Sequence, residues 1–251
     1  MSESTRGQSE LVGFLLIFSA VILAIVLVTA TGFVGFHNAQ DYQRTVNAEQ
    51  AFIAFANDID DVVRGDAPSR STEIGITDAT LLLENDTPSI AISIDGSALD
   101  LREGNELGSV VYDSGTETSI TYQSGAVIRT DDGGSVLVRD PDFVITDEAV
   151  ILPVITVFGE DAGMVGGTTG VELTALTDGT EVVAEDEPVT DSVTIEVSTT
   201  HVDAWARYFE QFERDGPVTE VEPDIATKRV RVEIETERVY VTVDRVDVSF
   251  R

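Results

Sequence analysis

Few residues in this chain have the types and spacing to do chemistry, and the most specific of them stand near the N-terminus. Arg6, Gly7 and Gln8 lie just before a long apolar run, with Glu10 at its border. Ordinary secretory signals have an apolar run of about 7–15 residues followed by a small-x-small cleavage site. Ala30-Thr31-Gly32 has that form, but the run around it is too long and a helix continues through it. Cleavage before the run, at the arginine-glycine pair, is the alternative. A second candidate for modification is Asn85, in Asn85-Asp86-Thr87, the only N-x-[ST] sequence; it matters only if that part of the chain is outside the cell.

Other chemistry is sparse. The pairs Asp60-Asp61 and Asp131-Asp132 fit no twelve-residue calcium loop, and among 46 carboxylates they read as solvated surface charge, so no metal is expected. His37 and His201 are expected to be solvated. There is no cysteine, which excludes disulfides, thiolate catalysis and cysteine metal sites. The glycines of Gly159–Gly170 lack the lysine and spacing of a phosphate-binding loop; the segment reads as a flexible connection. No catalytic constellation and no cofactor site emerge, and an enzyme is not expected.

The elements that must position these residues divide in two. Leu11–Phe36 holds 26 residues without a charged side chain, longer than the roughly 20 needed to span a bilayer core as a helix. No proline precedes Pro68, and Tyr42, Val46, Ile53, Ala56, Ile59 and Val63 continue on one helical face. The spacing predicts one helix from Gln8 to Arg64, a membrane-spanning half joined to an amphipathic stalk, stopped by Gly65 and Pro68.

Beyond it the periodicity changes to two, in short β-branched runs separated by Gly, Asp, Asn and Pro. Asp132-Gly133-Gly134 predicts a hairpin between Ala126–Thr130 and Ser135–Arg139. In the last strand Val239, Val241 and Val243 are followed by Val246, Val248 and Phe250; the step of three predicts a bulge or bend at Asp244-Arg245. One helix interrupts the strands, with capping candidates at Ser198–Thr200, a stop at Gly216-Pro217, and Trp205, Tyr208, Phe209 and Phe212 in one stripe. That stripe is expected to dock on the sheet. The fold class is therefore α+β: a long N-terminal transmembrane and stalk helix, then a mainly antiparallel β-rich head with one short packed helix.

Charge adds a condition. Acidic residues number 46 against 15 basic, for a net charge of −31, and Lys228 is the only lysine. Most of that excess, −27, lies beyond residue 65. Such a surface repels itself unless salt screens it, resembling the proteins of extreme halophiles. Nucleic-acid binding is disfavoured because no basic face appears.

The N-terminus resembles the type IV pilin superfamily, including archaeal pilins and archaellins, whose precursors carry a short polar leader ending in a basic residue and glycine before a hydrophobic helix. Arg6-Gly7 matches the leader end, Gln8 the first mature residue, and Leu11–Phe36 the hydrophobic stretch. The resemblance implies cleavage by a membrane prepilin peptidase between Gly7 and Gln8. It also implies packing of the mature helix against other pilin-like subunits and an extracellular head. Many bacterial pilins place an assembly glutamate at the fifth mature position; Glu10 would be third, and serves equally as a helix-start or interfacial charge. Tyr122–Arg129 is similar to a hairpin of minor-pilin and pseudopilin heads. The layout looks like the large pilin-like surface proteins of haloarchaea.

The implied division is 1–7 leader, 8–65 helix and 66–251 acidic head, whose size favours a minor subunit. The implied location is the cell membrane, single-pass. The competing expectation is an uncleaved single-pass protein displaying a β-domain that captures a ligand or partner.

Overall fold

The computed structural model describes residues 4–76, 79–85, 88–115, 118–159, 163–167, 170–214 and 216–251; within the first helix, side chains are described for residues 12–29 and from 42 onward. The first helix, α1, runs Ser4–Val63. By its contacts the chain forms two compact units, Met1–Val46 and Asn47–Arg251. In the first, Val12–Thr29 has a mean hydropathy of 2.9, long and apolar enough to cross a membrane. None of that window is buried within the chain. The rest of the expected Leu11–Phe36 run, and His37, have side chains outside the described residues.

The second unit is mostly strand. It begins with the end of α1 and continues through β1 (Ser69–Gly75), β2 (Ala79–Glu84), β3 (Ser89–Ile94) and β4 (Ser97–Ala98). Then come β5 (Ser109–Asp113), β6 (Ser119–Gln123), β7 (Ala126–Asp131), β8 (Gly134–Arg139) and β9 (Val144–Ile145). β10 (Val150–Phe158), β11 (Met164–Gly167), β12 (Gly170–Pro188) and β13 (Val193–Ser198) lead to the helix α2 (Val202–Glu210). β14 (Val218–Asp224), β15 (Arg229–Ile234) and β16 (Arg238–Phe250) close the chain. Three sheets result, in the orders β1-β12-β16-β10-β9, β11-β2-β5-β6-β7-β8 and β14-β15-β13-β3-β4. Among the described pairings only β10 with β16 is parallel. The short strand β11 pairs with β2 inside the glycine-rich Gly159–Gly170 segment, which was expected to be a loop.

The hairpins follow their turn residues. β7 and β8 pair around Asp132 and Gly133, both at positive φ (51° and 81°), the mirror-image turn that suits strand twist. β6 and β7 turn the same way through Ser124 and Gly125 (44° and 84°).

Two apolar cores occupy the head. One joins the third sheet, α2 and half of the first sheet; Trp205 and Phe209 are fully buried in it. α2 packs against β8, β14 and β15, so the aromatic stripe docks as its spacing predicts. The other core gathers Phe52, Phe55, Ala56, Ile59 and Val62 of α1 with strands of the first and second sheets. This inward face keeps Ala56 and Ile59 of the expected stripe, with Ile53 and Val63 packed at its edge, and is wider than expected. Tyr42 is 67 % exposed, whereas Phe52 and Phe55, absent from the expected stripe, are fully buried.

The step of three in β16 also has another cause than a bulge in that strand. β16 pairs with β10 without interruption from Val239 to Asp247. Val239, Val241 and Val243 belong to the core with α2, while Val246 and Val248 belong to the core with α1. Alternate residues face opposite sides, so a regular strand switches which face it buries halfway along. β10 does the same, with Val150, Leu152 and Val154 on one side and Ile155 and Val157 on the other. The irregularities of this ladder lie on β12, and the one opposite the step is Asp178, inserted between residues paired with Val246 and Arg245.

Most described arginines of the head spend their charge on a neighbouring carboxylate, as in Arg70–Asp61 at 3.2 Å and Arg229–Glu196 at 3.2 Å. The surplus carboxylates repel one another over a Debye length of about 10 Å at 0.1 M salt and about 3 Å at 1 M. The melting temperature of the detergent-extracted chain should therefore climb with added KCl. A midpoint indifferent to KCl would show that this repulsion does not limit stability.

Candidate functional site

The backbone places Arg6, Gly7, Gln8 and Glu10 in the first turns of α1, and their side chains lie outside the described residues. Asn85 stands just after β2. Its amide donates to Gly159 O at 3.1 Å and its Oδ1 accepts from Gly159 N–H at 3.3 Å, so it holds the end of β10. Asp86 and Thr87 of the same motif are outside the described residues.

The last turns of α1 hold an acid that composition hides. Asp60 is 6 % exposed rather than solvated surface charge. It lies against the Arg139 guanidinium, which also donates to Gly125 O at the β6–β7 turn. Arg139 lies 3.6 Å from Asp142, and Arg64 bonds Asp142 at 2.9 Å and approaches Asp60 at 3.9 Å. Burial pushes the Asp60 carboxyl up to about 6, Arg139 and Arg64 pull it down, and Asp142 and Asp61 add to the rise. The cluster ties α1 to the Tyr122–Arg129 hairpin. A second buried acid, Asp244, accepts from Thr180 Oγ1 at 2.6 Å and Thr242 Oγ1 at 3.2 Å; burial raises its carboxyl too.

The most elaborated concavity is elsewhere. β5 and β6 are covered on both faces. Val110, Tyr112, Ile120 and Tyr122 serve the α1 core, and the register pairs Val110 with Tyr122 and Val111 with Thr121. The opposite face presents Ser109, Ser119, Thr121 and Gln123 to a cavity of about 530 Å³. Its other wall comes from the end of β13, the start of α2 and the β14–β15 turn: Ser198, Thr199, His201, Thr227 and Lys228. Glu84 and Ser89 close it, with Ser109 Oγ donating to Glu84 Oε2 at 3.2 Å. The chain's only lysine thus stands at this cavity, on a left-handed turn (φ 57°).

Gln123 is 1 % exposed. Its Oε1 accepts from Thr199 Oγ1 at 3.2 Å, while Nε2 has no partner among the described residues. Exchanging the two amide atoms would only move the orphan to the oxygen. Thr199 Oγ1 also accepts from His201 N–H at 3.1 Å; the helix N-cap is His201, one residue past the candidates at Ser198–Thr200, and it makes no side-chain capping bond. His201 is half-buried where solvation was expected: burial holds its imidazole down at about 4, uncharged at neutral pH, with Nδ1 3.2 Å from Thr130 Oγ1. Sequence reasoning missed this cavity. Its one signal was Thr121 and Gln123 alternating with Ile120 and Tyr122 in a strand buried on both sides.

Among the described residues no three His, Asp or Glu side chains converge as a metal site. The chain thus comprises an N-terminal helix apolar enough to cross a membrane and a β-rich unit. Residues 6–249 match the family of unknown function DUF7289, and the chain belongs to that family. No curated protein and no solved structure matches it.

Proposed function

We propose that the chain is a pilin-like, minor subunit of an archaeal type IV pilus-like surface filament or of its assembly machinery, with a role in adhesion or surface structure and no enzymatic activity. The observation that carries this reading is the dual use of α1. One helix takes in Arg6-Gly7 in its first turns, holds the bare apolar window Val12–Thr29, and ends as part of a head core through Phe52, Phe55 and Ile59. A disposable anchor needs no such fusion. The family match also starts at Arg6, taking in the arginine-glycine pair together with helix and head.

In this reading prepilin peptidase cuts between Gly7 and Gln8, and Glu10 lies near the new amine. The apolar helix sits in the membrane, then packs against other pilin-like subunits. The acidic head is extracellular, in the salt that a halophile's surroundings supply, and nucleic acid is no partner. N-terminal sequencing of protein extracted from native membranes should begin at Gln8, and Gly7→Val should leave the precursor uncut. A native chain that retains Met1–Gly7 in a host possessing the peptidase would sink this assignment. The cavity favours a second reading, an uncleaved single-pass protein whose head captures a ligand; retention of the leader would select it.

A further inference from the structure

We propose that the cavity between β5–β6 and the start of α2 is a binding site for a neutral, polyhydroxylated ligand, a sugar of one or two rings. It is independent of how the N-terminus is processed.

The argument begins with the cost of the cavity wall. β6 is buried on both faces, yet on this side it carries hydroxyls and an amide. An amide arm left unpaired in a buried position carries a desolvation cost that an apolar residue there would avoid. The orphaned arm of Gln123 belongs to a residue that lines the cavity, and a ligand seated there supplies the partner it lacks. At about 530 Å³ the space falls in the range of small-molecule sites, roughly 300–1,000 Å³.

The charges then select the ligand class. Among the described residues the lining holds one carboxylate, Glu84, and one ammonium, Lys228, set among serine and threonine hydroxyls. A divalent cation would want several carboxylates, and among the described lining residues only Glu84 is offered. A free anion would have to enter a chain of net charge −31 and lie beside Glu84, with a single lysine to hold it. A neutral polyol suffers neither penalty. Its hydroxyls both donate and accept, as do Thr121, Ser119 and the Gln123 amide. Glu84 accepts from two adjacent hydroxyls, and Lys228 donates to a ring or hydroxyl oxygen. Uncharged His201 can take part as well, since its burial keeps a second positive charge from the wall.

The test is calorimetric titration of the full chain in molar KCl, in a detergent without a sugar headgroup, with glucose, galactose and sucrose, and with inorganic phosphate as the charged comparison. At least one sugar should bind, with an affinity unchanged between about 0.5 and 3 M KCl, because screening acts on charges and not on neutral ligands. Gln123→Leu should weaken that sugar about tenfold or more, the scale of losing a buried hydrogen-bonding group. The same substitution should leave the ligand-free melting temperature equal or higher, which a purely structural glutamine would not do. Lys228→Gln, at the exposed rim, should weaken binding without affecting folding.

Methyl glycosides separate two sources of the same chemistry. Binding as tight as the parent sugar indicates the end of a glycan chain, and loss of binding indicates a free sugar; either supports the site. Absence of binding by every sugar overturns the proposal. So does phosphate binding that fades with salt in place of sugar binding, or a Gln123→Leu chain that binds sugar as the parent does.

Discussion

A fragment spanning Asn47–Arg251 is expected to fold in molar KCl, whereas one starting at Asp66 is expected to remain unfolded under the same conditions. The two differ only by the last turns of α1 and the residues that follow them. Phe52, Phe55, Ala56 and Ile59 are fully buried there and Val62 is 1 % exposed. Phe55 stands edge-on to Tyr122 at 5.4 Å between ring centres. Each large side chain of this kind contributes about 1.5–3 kcal/mol by burial. Four of them together rival the whole stability of a domain, about 5–15 kcal/mol. Their loss would also uncover the partners Ile74, Leu81, Val110 and Leu173 and leave Arg139 without Asp60. Circular dichroism and the dispersion of amide proton shifts distinguish the outcomes. A dispersed spectrum from the shorter fragment would show that the sheets close over that core unaided.

The second large effect concerns Arg139. Replacing it with methionine keeps much of its packing volume and removes the charge that accompanies buried Asp60. Breaking a buried pair in this way costs about 3 kcal/mol or more when the remaining charge cannot leave. Here it can leave, by protonation, and that makes the loss depend on pH. In the intact head the Asp60 carboxyl is raised to about 6 from an unperturbed 3.8. The folded state therefore binds a proton more readily than the unfolded chain. This group's contribution to stability falls as pH rises from about 4 to about 6, then levels off.

Without Arg139 the carboxyl rises further and the falling window extends past neutrality. Arg139→Met should accordingly cost about 3 kcal/mol at pH 8 and about 1 kcal/mol at pH 5. Asp60→Asn added to it should restore much of the difference at pH 8. Urea melts at the two pH values measure this directly, and an equal loss at both would mean that Asp60 is not the group left behind.

What was legible in the sequence was whatever depends on neighbours along the chain. The apolar window, the Asp132-Gly133 turn and the Trp205–Phe209 stripe are all local patterns, and each forms where its spacing puts it. The rest depends on partners distant in sequence. The width of the inward face of α1 is decided by which residues meet β2, β6 and β12, so Phe52 and Phe55 join Ala56 and Ile59 in the core although a single helical stripe leaves them out. Asp60 looks like any of 46 carboxylates until Arg139, on β8, arrives beside it. The break in the alternation of β16 was visible, but one cause is a bulge and another is a change of buried face, and only the pairing with β10 distinguishes them. The cavity was least legible of all, because its walls come from β6, β13 and a turn more than a hundred residues beyond β6.

That change of face has a consequence for how the head comes apart. A molecule with two cores can ordinarily lose one and keep the other. Here β10, β12 and β16 are adjacent strands, and each lends residues to both cores: Ala184 with Val171 and Leu173, Val154 with Ile155, Val243 with Val246. Melting either core would strip half the side-chain support from the same three strands while the other half still held them. No boundary between independently opening segments can then be drawn across the sheet, and loss of structure is all-or-none. Disorder begun at the wall of the cavity is felt at the last turn of α1.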